Sequence, residues 1–434
     1  MTGALSSLEQ AAVTSIEPIR IERELRTILA IPSVTGDEEA VQAAMAELMA
    51  QSGLAVRRVA TDPAGLARDP DWPGSEMDRT TLPVVIGRAG VAGGRRVIVL
   101  GHVDVVPVGD EALWQTEPWT PTLADGALYA RGAVDMKGGV IAGLAAVRAA
   151  AAAAGEVGSN LAGEILFVTV PSEEDGGAGM LAAIRAGVTG DMAVIPEPSG
   201  LEIVTAHAGA ITFRLTITGK AAHASKRREG VSALDKLAVV MRALAADEAV
   251  RNAAERRPRM AALGLPYPTI IGKVRGGEWA STVIDRIVAE GRYGVRLGDR
   301  WPAAEIELRA VIAAACAADP WLRDHPVTVE ITGGRFSSAE IADDHPLPAG
   351  LATAVRDTLG ARPAFRAEPY GADMRLLIGE GGTPTVIFGP GAPEVAHAPN
   401  EHVRLAEVLR CAQALAVWLL REVGPDPAVA AGEA

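Results

Sequence analysis

The chain has 434 residues, too many for one ordinary core, so two domains are expected. With 49% hydrophobic and 22% charged residues it has the composition of an ordinary globular protein. A net charge of −13 with no basic block argues against nucleic acid or an anionic membrane as the main partner.

Residues 1–16 carry Glu9 and no basic stretch ahead of an apolar run, so neither a signal peptide nor an anchor is expected there. No later stretch reads as long and uncharged enough to span a bilayer, and the cytoplasm is the default location. Cys316 and Cys411 have no pairing or metal-ligand spacing and read as buried thiols. Residues 20–30 and 38–51 read as helices; Val41, Met45, Leu48 and Met49 form one face of the second. Strands follow at 54–59, 84–86 and 97–100, separated by a Pro-, Asp- and Gly-rich loop over 62–78. An Ala-rich helix over 138–154, a strand at 165–170, a helix at 179–186 and a strand at 193–196 complete an α/β layer with a largely parallel sheet.

The rhythm changes near Ala208. Strand 211–218, helix 231–244, strands 269–274 and 287–296, helix 303–317 and strand 327–332 follow the β-α-β-β-α-β order of a ferredoxin-like unit. Helix 351–359, strand 385–388 and helix 405–421 then return to the first layer. The expected organisation is therefore a catalytic α/β domain over 17–207 and 333–424, with an inserted domain over 208–332. Residues 1–16 and 425–434 read as flexible tails.

The chemistry-bearing residues stand where strands end, at the edge that lines the crevice of an open α/β sheet. Gly101-His102-Val103-Asp104 follows the strand at 97–100, and Pro171-Ser172-Glu173-Glu174-Asp175 follows that at 165–170. Pro196-Glu197-Pro198 follows 193–195, and the strand at 385–388 leads to His397. Asp135, just before the Ala-rich helix, reaches the same edge. Taken singly, each is an ordinary turn residue or solvated acid. Together they bring two imidazoles and several carboxylates to one place, where self-repulsion and desolvation call for divalent cations. Imidazole with carboxylate oxygen suits Zn²⁺ or Mn²⁺.

These segments, with the 131–139 run, Ala221-Ala222-His223-Ala224-Ser225 and His397-Ala398-Pro399-Asn400-Glu401, resemble the M20 metallopeptidases in order and along nearly the whole chain. That family includes acetylornithine deacetylases, succinyl-diaminopimelate desuccinylases, aminoacylases and glutamate carboxypeptidases. The resemblance implies a metal-dependent aminopeptidase-like catalytic domain with an inserted ferredoxin-like dimerisation or lid domain, and a homodimer. It implies two divalent ions, Zn²⁺ first with Co²⁺ or Mn²⁺ as alternatives. Asp135 would bridge them, His102 and Glu197 would complete one metal, and Glu174 and His397 the other. Asp104 would orient His102 through its second ring nitrogen, Glu173 would be the general base, and His223 would reach the partner subunit's site and stabilise the oxyanion there. A cis peptide is expected at Asp135-Met136. Arg296 and Arg375 are the candidate substrate-binding cations.

The implied reaction is removal of an acyl group from a small N-acylated, carboxylated substrate; the alternative within the family is a carboxypeptidase or dipeptidase. Two departures bear on substrate identity: Thr282 and Ile284 replace a common Asn and Pro, and Ala372 stands where Ser or Thr is frequent. A dinucleotide enzyme is disfavoured, because Glu173, Glu174 and Asp175 precede the loose glycine pattern at Gly177 and would repel a pyrophosphate. No G-x-S-x-G elbow exists for a serine hydrolase. A non-catalytic relative would have lost a ligand or the base, and none is lost.

Overall fold

The computed structural model describes residues 3–156 and 160–425. It opens on a helix, Ser7–Ser15, where composition suggested a frayed tail. The local S-x-x-E signature explains it: Ser6 Oγ accepts from the Glu9 N–H at 3.2 Å, and the Glu9 carboxylate accepts from the Ser6 N–H at 2.7 Å. Ala12 is then buried, and Glu9 also takes a 2.6 Å hydrogen bond from Arg421. The C-terminal tail from 426 onward lies outside the described residues.

The larger layer is one sheet ordered Ala55–Val59, Val84–Gly90, Glu164–Val170, Arg96–His102, Met192–Ile195, Thr385–Ile387, Ile203–His207 and Ala339–Glu340, with Phe365–Glu368 also on Ile203–His207. It is mixed, whereas the sequence suggested a largely parallel sheet. Glu164–Val170, Arg96–His102, Met192–Ile195 and Thr385–Ile387 run parallel at its centre, while Val84–Gly90 and Ile203–His207 join antiparallel on either side. The parallel strands have uninterrupted apolar runs, as burial on both faces requires. Helices Gly138–Glu156 and Leu405–Val423 pack against each other and against these strands.

By length and composition the apolar segment Ala133–Glu156 could cross a membrane, contrary to the sequence expectation, yet most of it is buried in the protein core. Gly139 in this helix is required by a close approach: a Cβ there would stand 1.8 Å from the Pro196 carbonyl oxygen. The helix is thereby seated against the turn that carries Glu197. Cys316 and Cys411 are both buried and free.

The second layer is a four-stranded antiparallel sheet ordered Thr269–Gly276, Arg286–Val295, Gly209–Thr218 and Thr328–Phe336. With helices Ala233–Ala253 and Trp301–Ala318 it reproduces the anticipated β-α-β-β-α-β order and has its own apolar core around Phe213, Leu237 and Leu308. Its last strand continues to Phe336, four residues beyond the expected return at 332. Entry and exit are adjacent, because Ala339 pairs with His207. A further three-stranded sheet of Thr122–Ala124, Ala127–Tyr129 and His402–Arg404, not read from the sequence, ties the segment after His397 to the segment before Asp135.

Candidate metal centre

The strand ends converge as the sequence pattern required. His102 Nε2 lies 3.1 Å from Asp135 Oδ1 and 3.4 Å from Glu197 Oε1. His397 Nε2 lies 3.2 Å from Asp135 Oδ2 and 3.1 Å from Glu174 Oε2. Asp135 therefore turns one carboxylate oxygen to each histidine, and each histidine has a second acid beside it. Ligand atoms of His102, Asp135 and Glu174 all fall within 4.8 Å of one another. Both His102 and Glu197 are buried, whereas the His397 side chain is half exposed.

The electrostatics are those of an acid cluster in need of cations. Burial pushes Glu197 up to about 7 against the pull of His102. Burial also raises Glu174, with Asp135 adding to the effect. Hydrogen bonds to Asp135 and Glu174 drive His397 up to about 11. This donor set, two imidazoles and three carboxylates, suits borderline divalent metals. The residues fit such ions.

Two features mark the backbone at Asp135. Asp135-Met136 is a cis peptide, as expected. Glu401, which carried no assigned role in the sequence reading, clamps the preceding backbone. Its Oε1 accepts from the N–H groups of Val134 and Asp135 at 3.0 and 3.1 Å, and its Oε2 from Gly132 N–H at 3.0 Å and Arg131 at 2.5 Å. Lys137 reaches away from the site to the carbonyls of Ile28 and Ile31, and burial pushes it down to about 7.

Asp104 departs in detail from its expected role. His102 Nδ1 is 2.9 Å from the Asp104 backbone carbonyl and 3.6 Å from its carboxylate. The carboxylate instead accepts from the N–H groups of Glu173 and Glu174, both at 3.2 Å, and from Thr35 at 3.1 Å. One residue therefore ties the histidine strand to the acidic loop. Glu173 opens into the cavity, and among the described residues its carboxyl has no hydrogen bond or ion pair. Burial raises it well above the carboxylate range, and Asp373, Glu197 and Glu174 add to this against the pull of His102.

The cavity over the cluster has a volume of about 390 Å³. Pro268, Ile270 and Arg292 of the four-stranded layer face Asp135, Glu173 and His397 across it, beside Phe336 and the loop Pro369-Tyr370-Gly371-Ala372. Neither expected substrate cation lines it. Arg296 pairs with Asp299 at 3.0 Å and with Glu307. Arg375 is buried, donates to the carbonyls of Ala372 at 2.9 Å and Gly176 at 2.5 Å, and lies over the Phe336 ring at 4.0 Å. The arginine lining the cavity is Arg292, on the strand Arg286–Val295 and four residues before Arg296. It stands 5.5 Å from the Phe336 ring, with no acid partner among the described residues. Arg292 lies within the strand Arg286–Val295, whereas Arg296 follows its end and is held by Asp299, three residues on, and by Glu307. His223 is exposed, hydrogen-bonded to Ser225 at 2.8 Å, and does not line its own chain's cavity.

The family described as peptidase family M20/M25/M40 matches residues 98–421. An N-formyl-4-amino-5-aminomethyl-2-methylpyrimidine deformylase of Halalkalibacterium halodurans is 26% identical over 349 residues, covering 75% of this chain and 78% of that one. A succinyl-diaminopimelate desuccinylase of Methylobacterium radiotolerans is 28% identical over 402 residues, covering 89% and 93%. Among solved structures, the di-peptidase Dug1p of Saccharomyces cerevisiae superposes with a TM-score of 0.71 at 18% identity, covering 98% of this chain and 100% of that one; at this identity the likeness is one of fold.

Proposed function

We propose, on the premise that this chain belongs to peptidase family M20/M25/M40 and is a hydrolase of amide bonds, that it is a two-metal deacylase acting on a small N-acylated, carboxylate-bearing substrate. The observation that carries this reading is the shared Asp135, with one oxygen toward His102 and Glu197 and the other toward His397 and Glu174. Two divalent ions held by these five residues, Zn²⁺ in the first instance and Co²⁺ or Mn²⁺ otherwise, would activate water and offset negative charge at the reacting carbonyl.

The chain's own groups supply the rest. Glu173, free-ended and oriented by Asp104 through its backbone, takes a proton from the attacking water. The water oxygen bonds to the acyl carbon, the C–N bond breaks, and Glu173 returns the proton to the departing amine nitrogen. Arg292, unpaired across the cavity, holds the substrate carboxylate as a two-pronged donor. The named activities of the relatives, removal of formyl and succinyl groups, support a deacylase over a peptidase.

We further assign the four-stranded layer as the dimerisation domain, with His223 serving the partner's site in a cytoplasmic homodimer. Mixing His223→Ala with Glu173→Gln subunits should then restore activity in heterodimers; no recovery despite verified exchange refutes the trans role.

The deciding experiment is a mass-spectrometric screen of chelator-stripped and Zn²⁺-, Co²⁺- or Mn²⁺-reloaded enzyme against N-acetyl, N-formyl, N-succinyl and dipeptide panels. Turnover should appear only on reloading, with N-acyl substrates ahead of dipeptides. Full activity in a metal-free preparation overturns the metal reading, and a preference for dipeptides overturns the deacylase assignment.

A further inference from the structure

The loop Pro369-Tyr370-Gly371-Ala372 contributes four consecutive residues to the cavity wall. It leaves the strand Phe365–Glu368, which runs parallel to Ile203–His207, and it ends at the helix Met374–Gly379. Ala372 offers no polar atom. Tyr370 does, and its hydroxyl is buried with no hydrogen-bond partner among the described residues. An unpartnered buried hydroxyl costs about 1–3 kcal/mol, so its retention in a cavity wall points to a group that arrives to meet it.

The other polar side chains lining the cavity are already committed. Asp135, Glu174, Glu197 and His397 form the metal cluster, Glu173 is the free-ended acid, and Arg292 is the fixed positive charge. Tyr370 is therefore the one uncharged donor on this wall among the described lining residues. Burial, with Glu368, Glu197 and Asp135 adding to it, pushes the phenol well above its usual range. Tyr370 lines the cavity together with Asp135 and Glu197, and its phenol can donate to an oxygen that gains negative charge. In an amide hydrolase that oxygen belongs to the scissile carbonyl.

We infer that Tyr370 is a catalytic residue supplied by the chain itself, donating a hydrogen bond to the carbonyl oxygen of the scissile amide as water adds to its carbon. No proton is transferred from the phenol; the bond strengthens as the oxygen becomes anionic and weakens as the C–N bond breaks. The assignment rests on the deacylase reading for its substrate. It adds a donor from the same chain to the one His223 would supply across a dimer, since His223 lies outside its own chain's cavity.

The test is Tyr370→Phe in the metal-loaded, full-length enzyme. Loss of such a donor should lower kcat roughly 10²-fold or more, with KM within about threefold, the pattern of an interaction made only in the transition state. Affinity for a phosphinate analogue, whose tetrahedral anionic oxygens mimic the adduct, should fall in proportion to kcat/KM. Affinity for an analogue whose amide is reduced to an amine, with no carbonyl oxygen, should be unchanged. Because the hydroxyl is unpartnered in the folded protein, the variant should melt no lower than wild type.

A raised KM at unchanged kcat, equal weakening toward both analogues, or a lowered Tm with metal retained would each overturn the proposal. If wild-type enzyme turned over no acyl substrate, the deacylase reading would fail. The phosphinate comparison would still decide Tyr370.

Discussion

Replacing Glu401 by Gln keeps the size of the side chain and removes one charge from beside the Asp135 backbone. In the wild-type protein its two oxygens accept four hydrogen bonds from Arg131, Gly132, Val134 and Asp135. A Gln amide can satisfy only one pair, and its NH₂ must face two donors in either orientation. Turned toward Arg131 and Gly132, it forfeits one charge-assisted and one neutral bond, together about 2–4 kcal/mol. Turned the other way it forfeits two neutral bonds and still leaves Arg131, which is 1% exposed, without its counter-charge. Breaking one partner of a buried pair costs about 3–5 kcal/mol, so that range is the expectation. Urea unfolding of the metal-loaded variant should show the loss as a lowered midpoint. Competition against a graded chelator should show metal affinity reduced about 10- to 100-fold, since the clamped backbone carries the shared ligand. A Glu401→Gln protein with a wild-type midpoint and wild-type metal affinity would refute the clamp.

Glu173→Gln should keep both metals by elemental analysis and lose roughly 10²- to 10⁴-fold in kcat, whereas Glu174→Gln should lose metal. A Glu173→Gln enzyme near wild type would remove the base assignment. Arg292→Ala should cost about 10- to 150-fold in kcat/KM on carboxylated substrates and little on their amides, as for one charge-assisted pair worth about 1.5–3 kcal/mol. Arg296→Ala should cost far less, because Asp299 and Glu307 already hold that guanidinium; the reverse ranking would restore Arg296 to the pocket. His207 is buried and neutral, pushed down to about 4 by burial, while its unfolded value is near 6.5. The unfolded chain therefore binds the extra proton first, so stability should fall as pH drops from about 6.5 to 4, by about 3 kcal/mol in all. Urea midpoints for wild type and His207→Gln over that range should diverge, with the flatter curve in the variant; parallel curves would contradict it.

The order of elements and the metal-facing acids were legible because they depend on local signals. Apolar runs ending in His102, Glu173 and Glu197 announce strand ends, and strand ends share an edge. The Glu401 clamp was not legible, because it joins positions some 270 residues apart through backbone donors that carry no residue-type signature. The choice between Arg292 and Arg296 was hidden for a different reason. The strand ends between them, at Val295, and Asp299 and Glu307 capture the arginine beyond that end. Ser7–Ser15 shows the converse: its capping box is a local sequence signal, whereas Ala/Ser-rich composition alone reads as a tail. The central sheet's antiparallel flanks depend on long connections, which the alternation of strands and helices does not register.

The helix Gly138–Glu156 is apolar on nearly every side because the folded protein surrounds it, and part of that surround is Leu405–Val423 at the far end of the chain. A ribosome adding about 5–20 residues per second needs on the order of 12–50 s to deliver the second helix after the first. Throughout that interval the nascent polypeptide displays a sticky rod with the hydropathy of a bilayer segment. The inserted four-stranded unit, with a core of its own, is synthesised within this interval and can fold while the rod waits. Vectorial synthesis thus sets a timetable in which the outer layer matures first and the metal-binding layer closes last. Shortening the C-terminal helix should therefore show up as lost soluble yield before it shows up as lost chemistry.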